Sequence, residues 1–429
     1  MRCRPLVPLA AAALVALALP AVGPGPASAA TTPEPVVGHA VFNDPTGTAA
    51  QQNAVFTQLA GLIERVPAGQ DIELSTYGFD VVGTSGAPDL AADLVAAHDR
   101  GVNVRIIVDH ASAGNAPVGT LRTALGNDDT KPSYLVDCKD QFPTGPDRGC
   151  IGTRQYTWPG TTTPTYAYNH NKFALFSQVA LASGTVSDVV YQASANIGTW
   201  DAANSYNNAF TYTDARTYGA YHQYFDDLRS YRHSSAGNND YYTDSGTGTE
   251  YRVFFFPRHE AAGTSFTDSS TDTVYNILKS VACTHTNPDG TSHQTLVRVA
   301  NWALDRTDVA QQLNALANAG CWVDVVYSNV SSGAAAALNA TKNLQVTKCD
   351  YTVNGQRERV HSKYMLINGG ITGDPGAHLW TGSPNLAWGE LRQADEALLR
   401  VLDQGAHDEY LNNFWSVRDT CRANGGIVK

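Results

Sequence analysis

Lysine is scarce in this chain. Eight lysines occur among 429 residues, and the basic total of 29 faces 40 acidic residues, for a formal net charge of −11. Tight nonspecific binding to a nucleic-acid backbone needs many phosphate contacts from Lys and Arg. A polybasic grip on anionic membranes needs similar clusters. The composition argues against both, while leaving room for a small positive pocket inside an acidic protein. Also missing is any Cys-x-x-Cys spacing, which argues against a zinc site. Beyond the first residues, no apolar run approaches the ~20 residues that cross a bilayer.

The N-terminus reads as an export signal. Arg2 and Arg4 precede an apolar, Ala-rich stretch over 5–22, and Ala27-Ser28-Ala29 supplies small residues for cleavage near residue 29 or 30. Pro20, Gly23, Pro24 and Pro26 interrupt the run before it could serve as an anchor. Residues 1–30 are therefore expected to be a signal peptide and the protein to be secreted. Six cysteines remain beyond Cys3. An even number in an exported chain suggests disulfides. Cys138 and Cys150 bracket a short loop rich in Asp, Gly and Pro and form the first expected bridge. Six cysteines allow 15 pairings, which the sequence leaves open; for the remaining four, Cys283–Cys321 and Cys349–Cys421 are the expected pairs.

Two halves of the chain can be laid over each other. Asp71–Asp80 and Thr295–Asp305 each read as a strand leading to a loop. Each is followed by a helical stretch, Leu90–Arg100 or Val309–Ala319, that stops at a glycine, Gly101 or Gly320. Each glycine precedes a β-branched run, Val102–Asp109 or Trp322–Tyr327. Strand, helix, Gly, strand is a βαβ unit. The openings also match: Val41–Pro45 precedes a helix around 49–66, and Val253–Pro257 one around 270–283. The fold class expected is α/β, with two tandem units, 38–245 and 246–429, built on mainly parallel or mixed sheets. The Ser/Gly/Asn/Asp-rich stretch 231–250 is the natural boundary. The first unit is expected to carry an insertion over about 111–166.

The informative strings are Asn169-His170-Asn171-Lys172 and Val360-His361-Ser362-Lys363. Two of the eight lysines thus stand two positions after one of 12 histidines. Apolar β-type runs continue both strings, so His170 and Lys172 would project from one face of a strand, as would His361 and Lys363. Downstream come Ala193-Ser194-Ala195-Asn196 and Gly382-Ser383-Pro384-Asn385. A doubled His-x-Lys followed by a doubled small-Ser-x-Asn resembles the phospholipase D superfamily over nearly the whole mature chain.

The resemblance implies a pseudo-twofold packing that gathers both His/Lys pairs in one cleft, and phosphodiester cleavage there. His170 would attack phosphorus and form a phosphohistidine. His361 would act as general acid and base. Lys172 and Lys363 would neutralise the nonbridging oxygens. Asn196 and Asn385 would donate to the same oxygens, with Ser194 and Ser383 shaping the phosphate cradle. An acid that holds a histidine's far nitrogen falls on Glu396, with Asp395 as its fallback. The same offset in the first half lands on Asn207 and Asn208, which leaves the orienter of His170 open. The family's further acid would stand at 177 and 368, where this chain has Ser177 and Asn368. The tyrosyl-DNA phosphodiesterase branch also lacks that acid and is active.

His259, His293 and His407 are isolated and read as structural or surface residues. Trp158, Tyr166, Tyr168, Trp200 and Trp388 flank the motifs and read mostly as core, though aromatics beside a phosphate site could hold a choline cation or dip into lipid. The function implied is that of a secreted phospholipase D acting on glycerophospholipid headgroup esters. The expected partner is a phospholipid at a membrane or micelle interface, with no stable nucleic-acid partner, no cofactor, no metal, and the chain acting as a monomer. The alternatives are an exported nuclease-like phosphodiesterase and a non-catalytic phosphodiester binder.

Overall fold

The computed structural model describes residues 1, 32–248, 250–286 and 290–428. The expected signal peptide lies almost wholly outside the described residues. Among them, no helix is long and apolar enough to cross a membrane.

Two mixed sheets carry the chain. The first has the strand order His39–Phe42, Asn208–Thr213, Gly184–Ala193, Lys172–Leu181, Asp71–Thr76, Asn103–Val108, Tyr134–Asp137. The second contains Tyr251–Phe256, Glu396–Val401, Gly376–Gly382, Lys363–Ile371, Leu296–Leu304, Trp322–Val330, Leu344–Lys348 in the same order, with short strands added at both edges. Directions match as well as order. The first four pairings of each series are antiparallel and the last two parallel. A mainly parallel sheet is therefore not what forms. The βαβ unit makes only the parallel end. The His-x-Lys strand turns back through a tight hairpin, Lys172–Leu181 into Gly184–Ala193, and a two-residue link permits only antiparallel pairing.

The local signals act as their chemistry requires. Helices Leu90–Asp99 and Thr307–Asn318 end at glycines with φ of +90° and +98°. In each, the residue after the glycine returns an N–H to the last turn: Val102 to Ala97 at 3.1 Å and Cys321 to Leu316 at 3.0 Å. That left-handed cap has no steric cost for glycine. All three expected disulfides are present, Cys138–Cys150, Cys283–Cys321 and Cys349–Cys421.

The stretch 111–166 is not all insertion. Helix Ala116–Leu125 and strand Tyr134–Asp137 correspond to Ser332–Leu338 and Leu344–Lys348 of the other repeat. The added chain begins at Cys138, past the last strand of the sheet. The expected insertion starts too early because a four-residue strand, Tyr134–Asp137, has too few residues for alternation to show.

Alternation along the strands divides the interior. Phe173 and Leu175, with Tyr364 and Leu366, face a central core shared by both sheets. Ala174 and Phe176 face an outer layer of the first repeat, and Met365 and Ile367 an outer layer of the second. Helices Ala215–Tyr231 and Gln404–Ala423 lie in the central layer, contributing Tyr221, Tyr224, Phe225, Tyr410 and Phe414. Each contacts strands of both repeats, so the halves meet over a continuous apolar core.

Candidate active site

Each His-x-Lys stands where its strand begins, and each is stitched to the other repeat just before it. Asn169 forms a parallel bridge with Asp395, and the His170 N–H donates to the Asp395 carbonyl at 2.9 Å. Val360 pairs parallel with Tyr206, and the His361 N–H donates to the Tyr206 carbonyl at 2.9 Å. The two crossings are equivalents, with Asp395 matching Tyr206 and Glu396 matching Asn207.

This crossing settles which group holds which imidazole. His170 Nδ1 lies 2.6 Å from Glu396 Oε1. His361 Nδ1 lies 2.9 Å from Asn207 Oδ1 and 3.0 Å from Asp201 Oδ1. The holder of His170 thus comes from the second repeat, and the holders of His361 from the first. A search for the orienter within the same repeat misses it. Asp201 was missed altogether. A signal for it exists: an acid stands five residues after each motif asparagine, Asp201 after Asn196 and Glu390 after Asn385. Each asparagine amide donates to its acid, at 3.3 Å and 2.7 Å respectively.

Both histidines line one cleft of about 330 Å³, with Tyr77, Tyr168, Asn196, Trp200, Trp302, Asn385 and Glu390. Tyr77 and Tyr168 stand edge-on to the His170 ring at centroid distances of 5.3 and 5.5 Å. Trp200 and Trp302 do the same for His361 at 5.1 and 5.5 Å. Gly78 lets the chain pass close to Asn196; a Cβ there would lie 2.7 Å from the Asn196 Cβ. Lys172 and Lys363 lie beneath the cleft, each curled toward the carbonyl of its own histidine at 2.7 and 2.6 Å.

Burial sets the electrostatics. It holds His170 well below the ordinary histidine range, with Lys172, Lys363 and His361 adding to the effect. His361 is brought down to about 4 by burial and by Lys363, against the pull of Asp201. Lys172 falls to about 8, chiefly by burial, although Glu396 and Asp201 oppose it. Lys363 is lowered well below its usual value by burial and then by Lys172. Burial drives Glu396 well above the carboxylate range, with Lys172 the main opposing influence. The cleft therefore presents neutral imidazole lone pairs over a crowded, electropositive floor, and a bound anion would relieve that crowding.

The remaining expected residues divide clearly. Ser194 and Ser383 are fully buried and do not line the cleft. Ser194 donates to Asn207 Oδ1 at 2.9 Å, and Ser383 accepts the Ala397 N–H at 3.1 Å. They brace the groups that hold the histidines rather than cradle phosphate, because the strand partner occupies their hydroxyls. Asp395 does not hold an imidazole; its carboxylate accepts backbone N–H groups of 150–152. Ser177, in the middle of the strand Lys172–Leu181, bonds the Asp71 N–H and Gln70. At ~3.3 Å per residue, it and Asn368 sit roughly 15–20 Å along their strands from the motifs. Neither position can reach a phosphate in the cleft. Trp158 packs on Tyr156 and Phe266, and Trp388 is buried near Arg392. His407 is buried, while His259 and His293 are at the surface. His170, Glu390 and Glu396 bring ligand atoms within 4.8 Å of one another. A cation held there would take a histidine nitrogen or its carboxylate partner and meet the field of both lysines.

The sequence matches the family model described as "Cardiolipin synthase, PLD-like domain" over residues 66–229 and 291–418. Phosphatidylserine synthase from Haemophilus influenzae Rd KW20 shares the fold at 11% identity and a TM-score of 0.54, over 91% of this chain and 87% of that one. Polyphosphate kinase from Porphyromonas gingivalis aligns at 13% identity and a TM-score of 0.49, over 90% of this chain; the match spans only 54% of the kinase. Yeast tyrosyl-DNA phosphodiesterase aligns at 12% identity and a TM-score of 0.42, over 85% of this chain and 89% of that one. No curated protein sequence matches. The chain belongs to the phospholipase D-like family.

Proposed function

We propose that this phospholipase D-like chain is a secreted phospholipase D that cleaves the headgroup ester of glycerophospholipids through a phosphohistidine on His170. The observation that carries the reading is the crossed pair of imidazoles, each gripped at Nδ1 by the opposite repeat and free at Nε2 toward one cleft.

His170 Nε2 attacks phosphorus while the P–O bond to the headgroup breaks. His361, protonated once the anionic phosphate raises its pKa, gives its Nε2 proton to the departing oxygen. The neutral headgroup alcohol leaves. Neutral His361 then takes a proton from water, whose oxygen attacks phosphorus. The P–N bond breaks, phosphatidic acid forms, and His170 recovers its lone pair. An alcohol in place of water gives transfer instead of hydrolysis. Glu396 keeps the His170 Nδ1 proton in place throughout, so the nucleophilic nitrogen is fixed. Lys172 and Lys363 supply positive charge where the phosphoryl oxygens become more negative.

Lipid is favoured over polynucleotide by the walls. The cleft is lined by four aromatics and an acid, Glu390, and the nearby cations Lys172 and Arg359 lie against the rings of Tyr77 and Trp200 rather than among the lining residues. A nucleic-acid channel needs basic residues along it. Secretion is supported by the N-terminal segment and by three disulfides. The test is headgroup and phosphatidic acid release from mixed phosphatidylcholine, -ethanolamine and -glycerol vesicles, with EDTA and ethanol present. Phosphatidic acid together with phosphatidylethanol supports the reading. No product from any lipid, with turnover of single-stranded DNA, would replace it with the nuclease reading.

A further inference from the structure

Beside the cleft, one buried carboxylate binds three consecutive backbone amides. Asp395 Oδ2 accepts the N–H of Cys150 at 2.6 Å and of Ile151 at 3.1 Å, and Oδ1 accepts that of Gly152 at 2.8 Å. Asp395 is fully buried, and no side-chain cation bonds it. Successive N–H groups turned to one centre form an anion nest, here filled by the protein itself. The nest requires glycine: a Cβ on Gly149 would lie 2.6 Å from Asp395 Oδ2, and one on Gly152 would run into the Gln393 carbonyl. Cys150 in turn is fixed by its bridge to Cys138, at the end of the first sheet.

The backbone of the same residue touches the catalytic strand. The Asp395 N–H donates to the Tyr168 carbonyl at 2.9 Å, and its carbonyl accepts the His170 N–H at 2.9 Å. Its chain neighbour Glu396 holds His170 Nδ1. Any shift of Asp395 therefore moves both anchors of His170, main chain and side chain. At the equivalent place the other repeat has Tyr206, whose hydroxyl lies 2.6 Å from that of Tyr351, on the hairpin just after Cys349. Each repeat thus ties the segment following its last parallel strand to the strand of the other repeat that holds its own histidine. Only on the His170 side is the tie a buried carboxyl group, set against the end of a disulfide-closed loop.

We propose that Asp395 is a positioning residue that clamps the Cys138–Cys150 loop to the His170–Glu396 pair, so that this loop sets the nucleophile's aim. The mechanistic part rests on the phospholipase D reading; the clamp does not. A buried N–H···O bond of 2.6 Å between imidazole and carboxylate gives a slowly exchanging downfield proton resonance, visible without substrate. In the full chain it should be present in wild type and in His361→Ala, and absent in His170→Ala. Asp395→Asn places an amide NH2 against three N–H donors. It should shift or abolish the resonance and lower kcat about 100-fold, the scale of a misplacement of about 1 Å, while KM changes less than twofold.

The paired variant Cys138→Ser/Cys150→Ser, which keeps Asp395, should reproduce the same shift. Cys283→Ser/Cys321→Ser, remote from the clamp, should lower the melting temperature and leave the resonance in place. An unchanged resonance in either clamp variant, folded by circular dichroism, overturns the proposal; so does its loss in the remote pair. Should wild type release no headgroup from any vesicle while the resonance behaves as expected, the clamp stands and the lipid reading falls.

Discussion

The two repeats follow one strand order with the same directions, yet they hold their histidines differently. On the His170 side the Glu396 carboxyl makes one contact of 2.6 Å to the imidazole, with the Ser383 hydroxyl beside it. On the His361 side Asp201 shares its charge: Oδ1 also accepts the Asn196 N–H at 3.1 Å and approaches Asn207 Nδ2 at 3.4 Å. Burial favours the uncharged form of Glu396, whereas Asp201 is divided among several donors. A symmetric fold thus carries an asymmetric pair of histidine holders, Glu396 for His170 and Asp201 with Asn207 for His361.

The largest expected effect is removal of the proposed nucleophile. His170→Ala should cut turnover by about 10⁴-fold or more and leave no phosphorylated protein in an acid quench with labelled phospholipid. His361→Ala should lose most turnover but still accumulate label. Label on a His170→Ala protein would reverse the assignment of the two repeats.

Next come the holders. Glu396→Gln should cost about 10²- to 10⁴-fold in kcat, as loss of a buried imidazole partner does in other histidine enzymes. Asp201→Asn should cost about 10- to 100-fold. Equal losses, measured side by side on one lipid, would remove the asymmetry argued here.

The lysine floor gives a pH prediction. Burial lowers Lys172 to about 8, so kcat/KM should fall as pH rises through that value and the ammonium is lost. For stability the sign is opposite. Between about 8 and its ordinary value, the unfolded chain binds more protons at this lysine than the folded one, so this group's contribution to stability rises with pH there. Lys172→Met should therefore raise the melting temperature at pH 7 by a few degrees while abolishing turnover. A lowered melting temperature would mean that Glu396 and Asp201 stabilise the charge more than burial penalises it.

The smallest effect is expected where the family acid is absent. Ser177→Asp and Asn368→Asp, far along their strands, should each change kcat/KM by less than about twofold. A tenfold gain at either position would show that it communicates with the cleft.

Much of this was legible in the chain. The two His-x-Lys strings, the matching helix-ending glycines and the short loop between Cys138 and Cys150 each leave a local mark. The antiparallel half of each sheet was not legible, because its strands lack the intervening helix that announces a βαβ unit. The functions of Ser194 and Ser383 were misread for a similar reason: hydroxyl direction depends on the neighbouring strand, which sequence spacing does not show.

The sequence by itself determined the repeated unit and the residue types that gather at the cleft, since each rests on a pattern stated twice; the pairing of the cysteines, two bridges of which span 38 and 72 positions, was decided by the tertiary structure. Only the tertiary structure decided which acid serves which histidine. Glu396 reaches His170 across 226 positions, through the bridge between Asn169 and Asp395. That partnership arises from packing one repeat against the other over a shared apolar core. No periodicity within either repeat encodes it.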